Sequence, residues 1–190
     1  GGFLTETGSK WKIIVTRPGG GPILNLAESL VKADESLDKD DEERYFKQAI
    51  TASVLRSSSL GLVDAIKQLH FSDEENILLM VDQFEELFRF KSLKGGTQAL
   101  NESLAFVRLL LEAVRQNQLP IYIVLTMRSD FIGECAQFQE LTSLINESHY
   151  LIPQMTREDF QKAIIGPVAV GGGQITPRLV HQLLNDVGDN

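Results

Sequence analysis

The chain has 190 residues, 43% hydrophobic and 23% charged, the proportions of a globular domain, which excludes global disorder and low-complexity character. With 18 Lys and Arg against 26 Asp and Glu the net charge is −8, so neither non-specific nucleic-acid binding nor docking on an anionic membrane is expected. One cysteine, Cys135, excludes an internal disulfide framework, no Cys/His spacing suggests zinc, and no stretch reaches the ~18 apolar residues of a membrane span; a reducing, cytoplasmic setting is expected.

Taken in chain order, Lys12 to Thr16 is short and β-branched and predicts a strand, stopped by Arg17-Pro18-Gly19-Gly20-Gly21-Pro22. Ile23 to Val31 carries Ile23, Leu26, Ala27 and Leu30 at helical spacing. Asp34 to Glu43 is acidic and predicts an exposed loop. Arg44 to Leu69 is helix-friendly but is broken in two around Ser57-Ser58-Ser59 and Gly61. Ile77 to Val81 is a continuous apolar run, the signature of a strand buried on both faces. Asn101 to Gln116 predicts an amphipathic helix with Leu104, Val107, Leu111 and Val114 on its apolar side. Pro120 starts a third strand, Ile121 to Thr126, and Gln137 to Asn146 reads as a weaker helix. Tyr150-Leu151-Ile152 predicts a short fourth strand, stopped by Pro153. Thr156 with Asp159 forms a capping-box start for a helix that Gly166-Pro167 ends, and Pro177 opens a last helix through Leu184 and Val187.

Strands alternating with helices argue for an open parallel sheet with right-handed crossovers. Ligands of such sheets sit beyond the carboxyl ends of the strands. The residues there are Arg17, Asp82 with Glu85 and Glu86, Arg128 with Asp130, and Pro153.

The run Ile77-Leu78-Leu79-Met80-Val81-Asp82-Gln83-Phe84-Glu85-Glu86-Leu87-Phe88 has the form of a Walker B strand. The apolar residues bury the strand, and the Asp at its end projects toward a Mg²⁺ held by nucleotide phosphates. A carboxylate a few residues on, Glu85 or Glu86, can polarise an attacking water. The competing reading makes Asp82 a helix N-cap with Glu85 completing its box. Arg128, at the end of the third strand, has the planar fork that binds a γ-phosphate; the competing reading is a surface Arg paired with Asp130 or Glu134. Asp130 itself reads as a cap for the following helix. His70, His149 and His181 have no ligand-like spacing, and Cys135 reads as a structural thiol.

Four segments in order, WKIIVTRPGGGP (11–22), VDQFEELFRF (81–90), TMRSDF (126–131) and MTREDFQKAIIGP (155–167), resemble the nucleoside-triphosphatase core of the STAND class, specifically its "novel STAND" group. That resemblance implies an α/β fold with the three-layer parallel sheet of the P-loop, AAA-like ATPases, related to NACHT and NB-ARC switches. It implies residues 1–153 as a partial core and 154–190 as the start of a helical lid. It implies Asp82 as the metal-associated Asp, Glu85 or Glu86 as the water-activating group, Arg128 as the sensor, and Gly166-Pro167 as a turn approaching the base of the nucleotide. The implied activity is an ATP-binding signalling switch that uses Mg²⁺ and ATP and couples nucleotide state to assembly. Its partners are ATP and either other copies or sensor and effector domains of the same chain.

One departure bears on all of this. No G-x-x-x-x-G-K-[ST] string occurs in the 190 residues; Gly2 to Lys10 has the wrong glycine spacing, and Gly19-Gly20-Gly21 has no Lys after it. The chain also opens on Gly1-Gly2-Phe3 rather than Met. The expectation is that the first strand, phosphate loop and first helix lie upstream of residue 1, so that the parent protein is an ATPase and these residues alone hold no nucleotide tightly. The rival is a non-catalytic interaction scaffold that keeps the fold without nucleotide turnover.

Overall fold

The protein is described from a computed structural model, which covers residues 10–34, 41–69, 71, 75–89 and 97–188. Gly2 to Ser9, most of the acidic loop and His70 lie outside the described residues.

The chain divides into two compact units, Gly1–His149 and Tyr150–Asn190. In the first, three parallel strands form one sheet in the order β1-β2-β3: β1 Lys10–Thr16, β2 Glu75–Val81 and β3 Ile121–Leu125. The first crossover carries α1 Pro22–Ala33, α2 Asp41–Ser57 and α3 Gly61–Gln68, and the second carries α4 Thr97–Arg115. After β3 come a 3₁₀ segment, Ser129–Gln137, and α5 Gln139–Ser148.

The register aligns Ile14, Leu79 and Ile123 in one row and Thr16, Val81 and Leu125 in another. With the period-2 alternation of a strand, these rows face one side of the sheet. There Ile14, Ile77, Leu79 and Val81 join Ile23, Leu26 and Leu30 of α1, Leu55 of α2, Leu62 of α3 and Phe106 and Leu110 of α4 in one core. The alternate rows, Ile13-Leu78-Tyr122 and Val15-Met80-Val124, are as apolar but face the other way. Ile13, Val15, Tyr122 and Val124 are 50%, 53%, 51% and 43% exposed. Parallel sheets ordinarily carry helices on both faces. Only two of the three expected layers are thus present among the described residues.

Several elements begin or end for legible reasons. Pro22 sits in the first turn of α1, where its missing N–H costs nothing. Between α2 and α3 the backbones nearly touch: a Cβ on Gly61 would stand 2.6 Å from the Val54 carbonyl oxygen and 2.7 Å from that of Leu55. The expected break therefore falls where no side chain fits.

Other expectations are corrected. Asp34 is buried, at 1% exposure, and residues 41–43 already belong to α2. On α4, Leu104 and Val114 are 44% and 46% exposed, while Phe106, Leu109, Leu110 and Ala113 are buried beside Val107 and Leu111. The core-facing stripe is therefore rotated toward Phe106, whose large ring sets it. Tyr150, Leu151 and Ile152 lie in no strand and are 84%, 64% and 79% exposed. Three apolar residues make a strand only where a neighbour accepts their backbone hydrogen bonds, and the second unit has no strand among its described residues.

That unit holds α6 Arg157–Val170 and α7 Pro177–Gly188. Thr156 and Asp159 form the expected capping box. Gly166 and Pro167, expected as a turn, lie inside α6 instead. The helix stops four residues later, where Gly172 takes a φ of +72° and the N–H groups of Gly172 and Gly173 return to the carbonyls of Ala169 and Val168. Within the unit Val180 and Leu184 are buried, and Arg157 Nη2 donates to Asn185 Oδ1 at 2.9 Å.

Candidate functional site

All three strands end on the row Thr16, Val81 and Leu125, so the next residues, Arg17, Asp82 and Thr126, form a row of their own at the carboxyl edge. Alternation turns them toward the bare face of the sheet. The ladder continues briefly past the strands: Asp82 N–H donates to the Thr16 carbonyl at 2.8 Å, and Thr126 N–H to that of Val81 at 3.0 Å.

Both oxygens of the central carboxylate are engaged. Thr126 Oγ1 donates to Asp82 Oδ1 at 2.7 Å. Arg17 donates to Oδ2 through Nε at 2.9 Å and approaches it with Nη2 at 2.8 Å. The Thr126 hydroxyl first, and the Arg17 guanidinium after it, hold the Asp82 carboxyl below the usual carboxylate range. The Thr126 hydroxyl also accepts the Gln83 N–H at 3.1 Å, fixing the turn that follows. Gln83 takes a φ of 56°, a left-handed conformation that costs a non-glycine residue roughly 1–2 kcal/mol. With it the chain leaves the strand abruptly and enters the short helical turn at 86–89.

The two glutamates after that turn differ. Glu86 Oε2 accepts the N–H of Gly19 at 2.9 Å, and so ties the β2 turn to the β1–α1 loop. Gly19 is needed there: its φ is +53°, and a Cβ would stand 2.7 Å from Asn25 Nδ2, which donates to the Arg17 and Pro18 carbonyls at 3.2 and 3.0 Å. Glu85 is buried at 6% exposure, and its Oε2 has no hydrogen-bond partner. Thr16 Oγ1 is buried and unpartnered as well. Buried polar atoms of this kind are costly and uncommon.

Arg128 is placed apart from this row. Its side chain is 68% exposed and forks onto Asp130, Nε to Oδ1 at 3.1 Å and Nη2 to Oδ2 at 2.9 Å, while lying 5.9 Å from the Phe131 ring centre. Asp130 is thereby taken up by Arg128, and no side chain caps the 3₁₀ segment. Gly166 and Pro167 are exposed residues of the second unit. Thr126 was not assigned a role by sequence reasoning, although it directly follows the third strand; its row partner Asp82 was the available signal. Cys135 is buried beside Met127, and burial, with the nearby Glu134 charge, pushes its thiol up to about 11.

No group of three or more His, Cys, Asp or Glu residues is gathered as a metal cage among the described residues. One carboxylate at a strand end, with an orphaned Glu85 oxygen three residues further along the chain, fits a Mg²⁺ that arrives with phosphate oxygens and its own waters. Without those phosphate oxygens it would hold such a cation only weakly. No helix of the described residues is long and apolar enough to cross a membrane.

A family model described as "Novel STAND NTPase 1" matches residues 3–190. No curated protein and no solved structure matches.

Proposed function

The chain belongs to the Novel STAND NTPase 1 family, and on that premise we propose that it forms the Walker B and sensor part of an ATP-dependent signalling switch. The observation that carries the reading is the row Arg17-Asp82-Thr126 across three parallel strands, with Asp82 ionised at its centre. In this reading Asp82 holds Mg²⁺ through its waters. Glu85 is the carboxylate that orients the attacking water, since its oxygen is free of other work. Glu86 shapes the loop, because its carboxylate is spent on Gly19. Arg128 reads the γ-phosphate after releasing Asp130. Gly166-Pro167 and the second unit belong to a lid that responds to the nucleotide. The phosphate loop comes from a strand and helix outside these 190 residues, and the bare sheet face is the place for that helix. The rival reading is a scaffold without turnover, which keeps the fold but lacks a G-x-x-x-x-G-K-[ST] loop altogether.

Titration calorimetry with Mg·ATP separates the two. The 190-residue chain is expected to show no binding below about 1 mM, because phosphate affinity in such sites comes from loop amides and a Lys. A form carrying a phosphate loop should bind in the micromolar range. In that form Asp82→Asn should weaken Mg²⁺-dependent binding, and Glu85→Gln should slow hydrolysis ~100-fold or more with binding retained. Glu86→Gln should alter stability more than turnover. Micromolar binding by the 190-residue chain would move the phosphate site to Arg17 and the Gly19 loop; no turnover by the longer form would favour the scaffold.

A further inference from the structure

We propose that Arg17 is a latch on Asp82: with no divalent cation at the strand ends its guanidinium occupies Asp82 Oδ2, and a cation that binds there displaces it. The inference rests on the reading that Asp82 faces a cation.

A carboxylate oxygen offers about two lone-pair sites. Oδ2 accepts from Arg17 Nε at 2.9 Å, and the Nη2 of the same guanidinium crowds it at 2.8 Å. Oδ1 already accepts from Thr126 at 2.7 Å. A hard cation bound directly comes to about 2.1 Å from a carboxylate oxygen, and one bound through its water shell sets a donating water on that oxygen. Either way the incoming group competes with the Arg17 guanidinium for Oδ2, and the cation's charge repels that guanidinium.

Arg17 is built to yield. Its side chain is 61% exposed and that of Asp82 27%, so the guanidinium enters from solvent and can leave without stranding a buried charge. The backbone stays in place, because Asn25 Nδ2 holds the Arg17 carbonyl and Pro18 follows it. Only side-chain torsions need change. Once released, a planar fork of five N–H donors remains at the carboxyl edge of the sheet, where phosphate oxygens accompanying the cation can take it up. The same arginine thus exchanges one anion for another.

The test uses the 190-residue chain, isotopically labelled, and Mn²⁺ alone as the probe. Paramagnetic broadening of the Asp82, Gln83 and Thr126 amides reports occupancy without any turnover. Arg17→Gln is expected to bind Mn²⁺ about threefold to tenfold more tightly than wild type, the range set by releasing an exposed ion pair and removing a like charge. Arg17→Lys, which keeps the charge with a less fitting donor set, should fall between and also serves if the Gln variant folds poorly. In wild type, the Arg17 Nε–H signal should move, as Mg²⁺ is added, toward its position in Asp82→Asn. Equal or weaker Mn²⁺ binding by Arg17→Gln, with Asp82→Asn abolishing it, would overturn the latch and leave Asp82 as a cation site. Broadening that survives Asp82→Asn, or none in any form, would overturn the latch together with the reading of Asp82.

Discussion

At the scale of single residues, the ionisation of Asp82 has a measurable consequence for stability. Its carboxyl is held below the ordinary range by the Thr126 hydroxyl and then by Arg17. A group whose folded pKa lies below its unfolded value of ~3.9 contributes stability above that value and loses it as pH falls through the folded pKa. The advantage of wild type over Asp82→Asn should therefore be present and flat from pH 7 to about pH 5. It should shrink below about pH 4 and vanish once Asp82 is protonated. Because the carboxylate is partly exposed, its size at pH 7 should be roughly 1 kcal/mol. Thermal melts of both proteins from pH 7 to pH 2.5 read it directly, and a gap that widens toward acid would contradict the assignment. Thr126 belongs to the same unit of chemistry. It bonds Asp82 and Gln83 together, so it sets both where the carboxylate points and how the chain turns away.

At the scale of elements, the α2–α3 junction is a joint with no room for a side chain. Glycine to alanine within a helix ordinarily stabilises by a few tenths to 1 kcal/mol. At Gly61 the added carbon would meet two backbone carbonyl oxygens at 2.6 and 2.7 Å, and backbone cannot swing aside as a side chain can. Steric overlap wins, and Gly61→Ala is expected to lower stability by ~2–3 kcal/mol. Urea denaturation followed by circular dichroism checks it; an unchanged or raised midpoint would show that α2 and α3 can separate. This joint also shows why some elements are legible in a sequence and others are not. A serine run followed by glycine marks the break because local backbone chemistry causes it. The three long strands are legible for a similar reason: each is an apolar run closed by Pro, Gly or a polar residue. Tyr150–Ile152 has the right residues but no neighbour, and pairing is not a local property. Gly166-Pro167 has the composition of a turn, yet α6 continues through it until three consecutive glycines allow a left-handed exit. The site divides in the same way. Asp82 is visible because a strand end announces it, whereas the difference between Glu85 and Glu86 depends on a glycine 67 positions away.

At the scale of the whole molecule, the core residues run from Ile14 to Leu141, all within the first unit. A chain ending at His149 should therefore keep one cooperative melting transition, within about 4 °C of the 190-residue chain. Loss of that transition on calorimetry would mean that the second unit supplies part of the core. The sheet itself carries a further consequence, of handedness. The chain crosses it in one direction only, from β1 to β2 to β3. Crossovers between parallel strands share one hand, so two successive steps in the same direction deliver their helices to the same side. The bare face is then a product of chirality rather than of composition. Another strand added beyond β3 by a further step in that direction would thicken the layer already present. Only chain that travels the sheet the opposite way can clothe the other side. The place where travel reverses is where open α/β sheets part to form a ligand crevice. For this protein the reversal can occur only beyond an outer strand of the described sheet, past β1 or past β3.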